Sequence, residues 1–164
     1  MYNIQDNFLP IETFKQLKDM ITGTHFPWYY NKSINSEYTD KQSSLNTCYF
    51  THILFFKDKI RSDYYKLFLP IFDRLNYKKM IRVKLNCYPR LQNLEIHKPH
   101  QDFDFEHKGC IVYFNTNNGY TILEDETRIE SIENRALFFD SSKPHSSTNC
   151  TDMNARFNIN INYI

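Results

Sequence analysis

The chain has 164 residues, a formal net charge of +1, 41% hydrophobic and 16% aromatic residues. That length suits one domain with a substantial core, and that apolar content excludes a disordered chain. Near-neutral charge argues against nucleic-acid binding through a strong overall field, and no apolar run reaches the ~20 residues of a membrane-spanning helix.

The opening Met-Tyr-Asn-Ile-Gln-Asp lacks the basic and apolar regions of a secretion signal. Cysteines 48, 87, 110 and 150 have no Cys-x-x-Cys spacing and are expected to be free thiols, so a cytoplasmic location is expected. Ile4, Phe8 and Leu9 lie on an extended lead-in. Pro10 suits a helix start, apolar positions 11, 14, 17, 20 and 21 follow helical spacing, and Gly23 is a natural stop. Phe26 to Tyr30 suits a strand. Residues 31–46 are polar and are expected to form a loop able to cover a site. Thr47 to Phe56 predicts a strand. Ser62 caps a helix running to about Asn76, which Pro70 should kink or split.

The second half changes character. Strands are predicted over Met80–Tyr88, around His100, over Gly109–Asn115, Tyr120–Leu123, Thr127–Ile132, Arg135–Phe139 and Arg156–Tyr163. Turn signals such as Asn117-Asn118-Gly119 separate them. Many short strands joined by turns form the pattern of a jelly roll. With Gly so scarce, at 3 residues, each is expected at a turn or a close backbone approach.

His100-Gln101-Asp102 places an imidazole and a carboxylate two apart, on one side of an extended segment. His145, after Ser-Ser-Lys-Pro, supplies a candidate third ligand. Two His and one carboxylate with open positions opposite suit a non-haem Fe(II) site. His97 has the opposite parity and is expected to face away; Asp104 is a rim group; His25 and His52 are ordinary surface or packing residues. In the last strand Phe157, Ile159 and Ile161 share one face and Arg156, Asn158, Asn160 and Asn162 the other. An exposed edge strand would show that alternation. So would a strand whose polar face lines a barrel, where an Arg without a carboxylate partner invites the carboxylate of a ligand.

Together, His100-x-Asp102, His145 and Arg156 resemble the signature of the Fe(II)/2-oxoglutarate-dependent dioxygenases, over roughly residues 80–164. Asn86-Cys-Tyr88-Pro resembles an element of AlkB-type demethylases and prolyl hydroxylases. Asn118-Gly-Tyr-Thr121 resembles a Gly-Gly-x-Thr turn of prolyl 4-hydroxylases with one Gly missing, and Arg156-x-Asn158 a pair found in AlkB-type enzymes. The overall likeness is to small phage and marine-bacterial oxygenases.

The resemblance implies a mainly β double-stranded β-helix (a cupin-like jelly roll) with flanking helices, as one oxygenase domain over 1–164. Residues 1–78 would give helical support and outer strands, and 79–164 the metal-bearing core. It implies Fe(II) on His100, Asp102 and His145, with 2-oxoglutarate held by Arg156 and Tyr88, and Asn86 and Asn158 beside it. O₂ would be consumed and succinate and CO₂ released as a C–H bond is hydroxylated. The substrate is expected to be a peptide, protein or small molecule, with a peptidyl or prolyl residue first. Trp28, Tyr29, Tyr30 and the 89–99 loop are candidates for its mouth. Alternatives are an AlkB-like nucleic-acid demethylase and a non-catalytic cupin-like metal-binding module.

Overall fold

The computed structural model describes residues 1–32 and 48–164. The predicted loop over 31–46, and with it the covering role, lies almost wholly outside the described residues. Among these residues the long sheet takes strands in the order β1 (Asn3–Gln5), β9 (Ala136–Asp140), β6 (Lys108–Tyr113), β11 (Ala155–Tyr163), β5 (Met80–Pro89), β3 (Tyr49–Phe56) and β2 (Tyr29–Asn31), and β4 (Lys59–Ile60) also pairs with β3. A small second sheet has the order β10 (Ser146–Ser147), β7 (Tyr120–Ile122), β8 (Arg128–Glu130). Every pairing is antiparallel. This is the expected β-rich jelly roll with flanking helices, and the predicted hairpin over 120–132 is β7–β8.

Helix α1 (Ile11–Thr22) follows Pro10 and buries Phe14, Leu17 and Ile21; Phe14 stacks on Phe114 with centroids 5.9 Å apart. The second predicted helix is broken. A 3-10 helix (Asp63–Phe68), capped by Ser62 accepting from Tyr64 N, passes into a single turn, α2 (Leu69–Phe72). Pro70 has no N–H to extend an α-helical ladder back to residue 66, so the chain tightens before it and restarts around it.

β11 is a central strand between β5 and β6, so the exposed-edge alternative does not hold. Ile159 and Ile161 are fully buried in the main apolar core beneath the helices, with Phe157 packed against it. Arg156, Asn158, Asn160 and Asn162 are buried on the other face. A second, smaller core of Ile111, Tyr113, Ile129, Leu137 and Phe139 fills one side of the space between the sheets. The opposite side is polar, and the cross-strand register builds it as four rungs: Tyr88 with Arg156, Asn86 with Asn158, Lys84 with Asn160, and Arg82 with Asn162.

Candidate metal centre

His100 and His145 form an isolated antiparallel bridge, each backbone N–H donating to the other's carbonyl at 3.0 Å. The regular strand expected around His100 is therefore reduced to bridges at His100 and Ile96, the latter opposite Thr148. Pro99 removes one backbone donor there. The bridge sets the two imidazoles side by side, with centroids 4.7 Å apart. Asp102 lies between them: its Oδ1 is 3.9 Å from His100 Nε2 and its Oδ2 3.8 Å from His145 Nε2. Among the described residues this is the one His/Cys/Asp/Glu group of three whose ligand atoms all fall within 4.8 Å of one another.

The donor chemistry fits a single divalent ion. His145 Nδ1 stands 3.0 Å from the Lys143 carbonyl, the arrangement that keeps a proton on Nδ1 and turns the Nε2 lone pair toward an ion. Burial, then the charge of His145, draws His100 down to about 4 against the opposing pull of Asp102, so its imidazole is neutral at pH 7. Burial alone would raise the Asp102 carboxyl. Arg82, His145 and Lys84, with a hydrogen bond from Ser141, outweigh that and hold it well below the usual carboxylate range. Asp102 accepts from Ser141 Oγ at 2.7 Å, Asn162 Nδ2 at 2.9 Å and Asn160 Nδ2 at 3.1 Å, and pairs with Arg82. Ser141 reaches it because residue 109 is Gly: a Cβ there would stand 2.7 Å from the Ser141 Cβ.

His100 and His145 line one cavity with Arg156, Tyr88, Asn86 and Asn158. Arg156 is fully buried and donates from Nε to Ser131 Oγ (2.9 Å), from one terminal nitrogen to the Thr148 carbonyl (3.1 Å) and from the other to Thr121 Oγ1 (3.1 Å). A guanidinium carries five N–H donors, so one remains on each terminal nitrogen. Arg156 forms no ion pair among the described residues. Tyr88 and Tyr113 offer their rings 5.6 and 5.5 Å from it. Gly119 makes that lodging possible, since a Cβ would come within 2.7 Å of Arg156 Cδ and 2.4 Å of the Asn149 carbonyl. Asn86 donates to Asn158 Oδ1 at 2.9 Å, so these two amides form the rung between the Arg156 end and the metal end.

Several expectations are refined or corrected. His97, expected to face away from the metal ligands, is outside their group and outside the cavity lining; it is buried, 5.3 Å from the Tyr88 ring, with Nδ1 2.8 Å from Ser147 Oγ. Thr121 does line the cavity despite the missing Gly of its turn, and it is bonded to Tyr113 Oη at 2.8 Å as well as to Arg156. Trp28, Tyr29 and Tyr30 do not line it. Trp28 packs among Phe26 and Phe157 on the outer core, while Tyr29 borders a separate groove with His52 and Tyr64. Lys84, Tyr49 and Ser147 line the cavity and were not singled out from sequence. Lys84 alternates in register with Asn86 and Tyr88, and that was the signal available for it.

No protein-family model matches the chain, and no curated protein sequence does. Solved structures do resemble it. A viral collagen prolyl hydroxylase from Paramecium bursaria Chlorella virus-1, in complex with 2-oxoglutarate, superposes with a TM-score of 0.62 at 15% identity, covering 99% of this chain and 96% of that one. A 2-oxoglutarate–Fe(II) oxygenase-family oxidoreductase from Burkholderia pseudomallei gives 0.70 at 7% identity, covering 99% and 84%. The α-ketoglutarate-dependent epimerase SnoN of nogalamycin biosynthesis gives 0.67 at 11%, covering 99% and 77%. The fold is the one these oxygenases share.

Proposed function

We propose that the protein is an Fe(II)- and 2-oxoglutarate-dependent oxygenase that hydroxylates a C–H bond and releases succinate and CO₂. A peptidyl or prolyl residue is the first substrate to try. One observation carries the reading: the ligand atoms of two imidazoles and a carboxylate converge within 4.8 Å of one another, and both imidazoles line a cavity that is also lined by a buried guanidinium with no carboxylate partner among the described residues. Burying such a cation is costly unless a ligand's anion completes it, and a diacid offers one carboxylate to the guanidinium while keeping another for the metal ligands.

His100, Asp102 and His145 would hold Fe(II). The bound iron would supply activation of O₂ driven by decarboxylation of the 2-oxo acid. The remaining residues bind and orient. Arg156 presents its two spare N–H donors to the distal carboxylate. Tyr88, whose hydroxyl burial keeps protonated, stands beside it as a neutral donor. Asn158 holds the middle of the cavity, and Ile111 with the apolar side of the barrel excludes water. The fold is shared with an epimerase, so hydroxylation rests on this proposal and not on the architecture.

The test is succinate formation from 2-oxoglutarate with Fe(II) and a reductant, alongside a visible charge-transfer band when Fe(II) and 2-oxoglutarate are combined without O₂. Both are expected in the wild type and absent from His145→Ala, whose circular dichroism should be unchanged. Absence of both from the wild type, or their survival in His145→Ala, refutes the reading.

A further inference from the structure

Three of the four polar rungs have an account. Tyr88–Arg156 forms the anion end, Asn86–Asn158 is bonded across, and Arg82–Asn162 is tied together at 3.0 Å and braces Asp102. The Lys84–Asn160 rung does not. The Lys84 side chain lines the cavity that His100 and His145 line. Its ammonium stands 5.7 Å from the Tyr49 ring centre and forms no hydrogen bond or ion pair among the described residues. The carboxylate whose charge reaches it, Asp102, is already engaged by Arg82, Ser141, Asn160 and Asn162. Burial, then the charge of Arg82, pulls the ammonium down to about 7, the signature of a cation short of an anion.

The same place has two unmet acceptors. Asn160 donates its amide to Asp102. A carboxylate accepts only, so the orientation of that amide is fixed. Its Oδ1 is left buried with no partner among the described residues. Asn86 Oδ1 is buried and, among the described residues, unpaired in the same way. Buried polar groups are ordinarily satisfied, and exceptions call for a partner. A ligand complementary to one cation and two acceptors carries a carboxylate with N–H donors close by. 2-Oxoglutarate brings no such donor at neutral pH.

We infer that Lys84, with Asn86 and Asn160, forms a recognition site for the primary substrate, and that this substrate presents an α-amino carboxylate, either as a free amino acid or as the C-terminal residue of a peptide. The inference rests on the oxygenase proposal for the role of the ligand, and it narrows the substrate class. Lys84 receives the carboxylate, and the two amide oxygens receive the adjacent N–H groups.

The test uses the full chain loaded with Co(II) and 2-oxoglutarate. Free amino acids, N-acetyl amino acids and their carboxamide-capped counterparts are offered, and binding is read by saturation-transfer NMR. Acids should bind and the capped amides should not. Lys84→Met should weaken the acids about tenfold or more, Lys84→Arg should recover part of that, and in both variants the loss for the acids should exceed any loss for 2-oxoglutarate. Equal binding of capped and uncapped probes overturns the inference, as does failure of every acid to bind. Wild-type behaviour of Lys84→Met overturns it too. If Lys84→Met instead costs 2-oxoglutarate as much affinity as it costs the acids, or more, the lysine serves the co-substrate and the inference is wrong. If the wild type takes neither Co(II) nor 2-oxoglutarate, the oxygenase proposal fails. The acid-against-amide comparison on the metal-free protein, with and without Lys84→Met, then decides the lysine's role by itself.

Discussion

Arg156→Met separates ligand binding from folding. In the free protein the substitution removes three hydrogen bonds, each worth roughly 1.5–3 kcal/mol when the donor is charged. It also removes a desolvated cation, a relief of several kcal/mol. The two nearly cancel, so unfolding free energy without ligand should change by no more than about 2 kcal/mol. With 2-oxoglutarate the balance is one-sided. Truncating one member of an enclosed charge pair costs about 2–5 kcal/mol, which at ~1.4 kcal/mol per decade is roughly a 30- to 4,000-fold loss of affinity. Arg156→Lys keeps the charge but loses the planar fork and should fall between the two. The assay is calorimetric titration of 2-oxoglutarate into Co(II)-loaded protein, beside urea unfolding of the same samples. A variant that keeps its affinity would make Arg156 a structural residue and remove one end of the proposed site.

Ser141→Ala takes one hydrogen bond from Asp102 and leaves the three ligands in place; Co(II) affinity should fall about 10- to 100-fold, measured by competition with a chelating dye. Gly119→Ala forces a methyl against the Asn149 carbonyl and Arg156 Cδ. It should cost about 1–3 kcal/mol in urea unfolding and weaken 2-oxoglutarate in parallel. Acid should destabilise the metal-free protein early. His97 and His100 sit at about 3 and about 4 against an ordinary 6.5. The unfolded chain therefore takes up their protons first, and stability falls as pH drops from 6.5 toward 3. Asp102 is shifted in the same direction, downward, and because its ordinary value is 3.8 its contribution is lost only as pH falls below that. His97→Phe, which keeps a ring against Tyr88, should flatten the fall in urea midpoint between pH 7 and 4; an unchanged slope would refute that share.

The sequence showed the β-rich second half because strand periodicity is local: 80–88, 120–132 and 155–163 alternate or are bounded by turn residues. It offered the candidate metal ligands through residue type and spacing. It did not show which side of β11 faced water, because an edge strand and a barrel wall write the same alternation, and only the pairing with both β5 and β6 decides between them. The burial of His97 was not legible, because parity says which side a residue takes and not what covers it, and here the ladder shrinks to isolated bridges. Lys84 is not legible because a lysine is ordinarily solvated, and nothing local announces that one lines an inner cavity. The 62–76 segment broke where Pro70 required it.

The single rung between His100 and His145 has a consequence for the order of events. Thr148, whose carbonyl moors Arg156, lies three residues beyond His145 on one short ribbon of backbone, and Ile96 pins that ribbon from the facing side. An ion clasped by both imidazoles would tighten this seam and, through it, the berth of the guanidinium. Cation loading and diacid capture thus share one hinge of main chain, and an empty centre offers the diacid a looser dock.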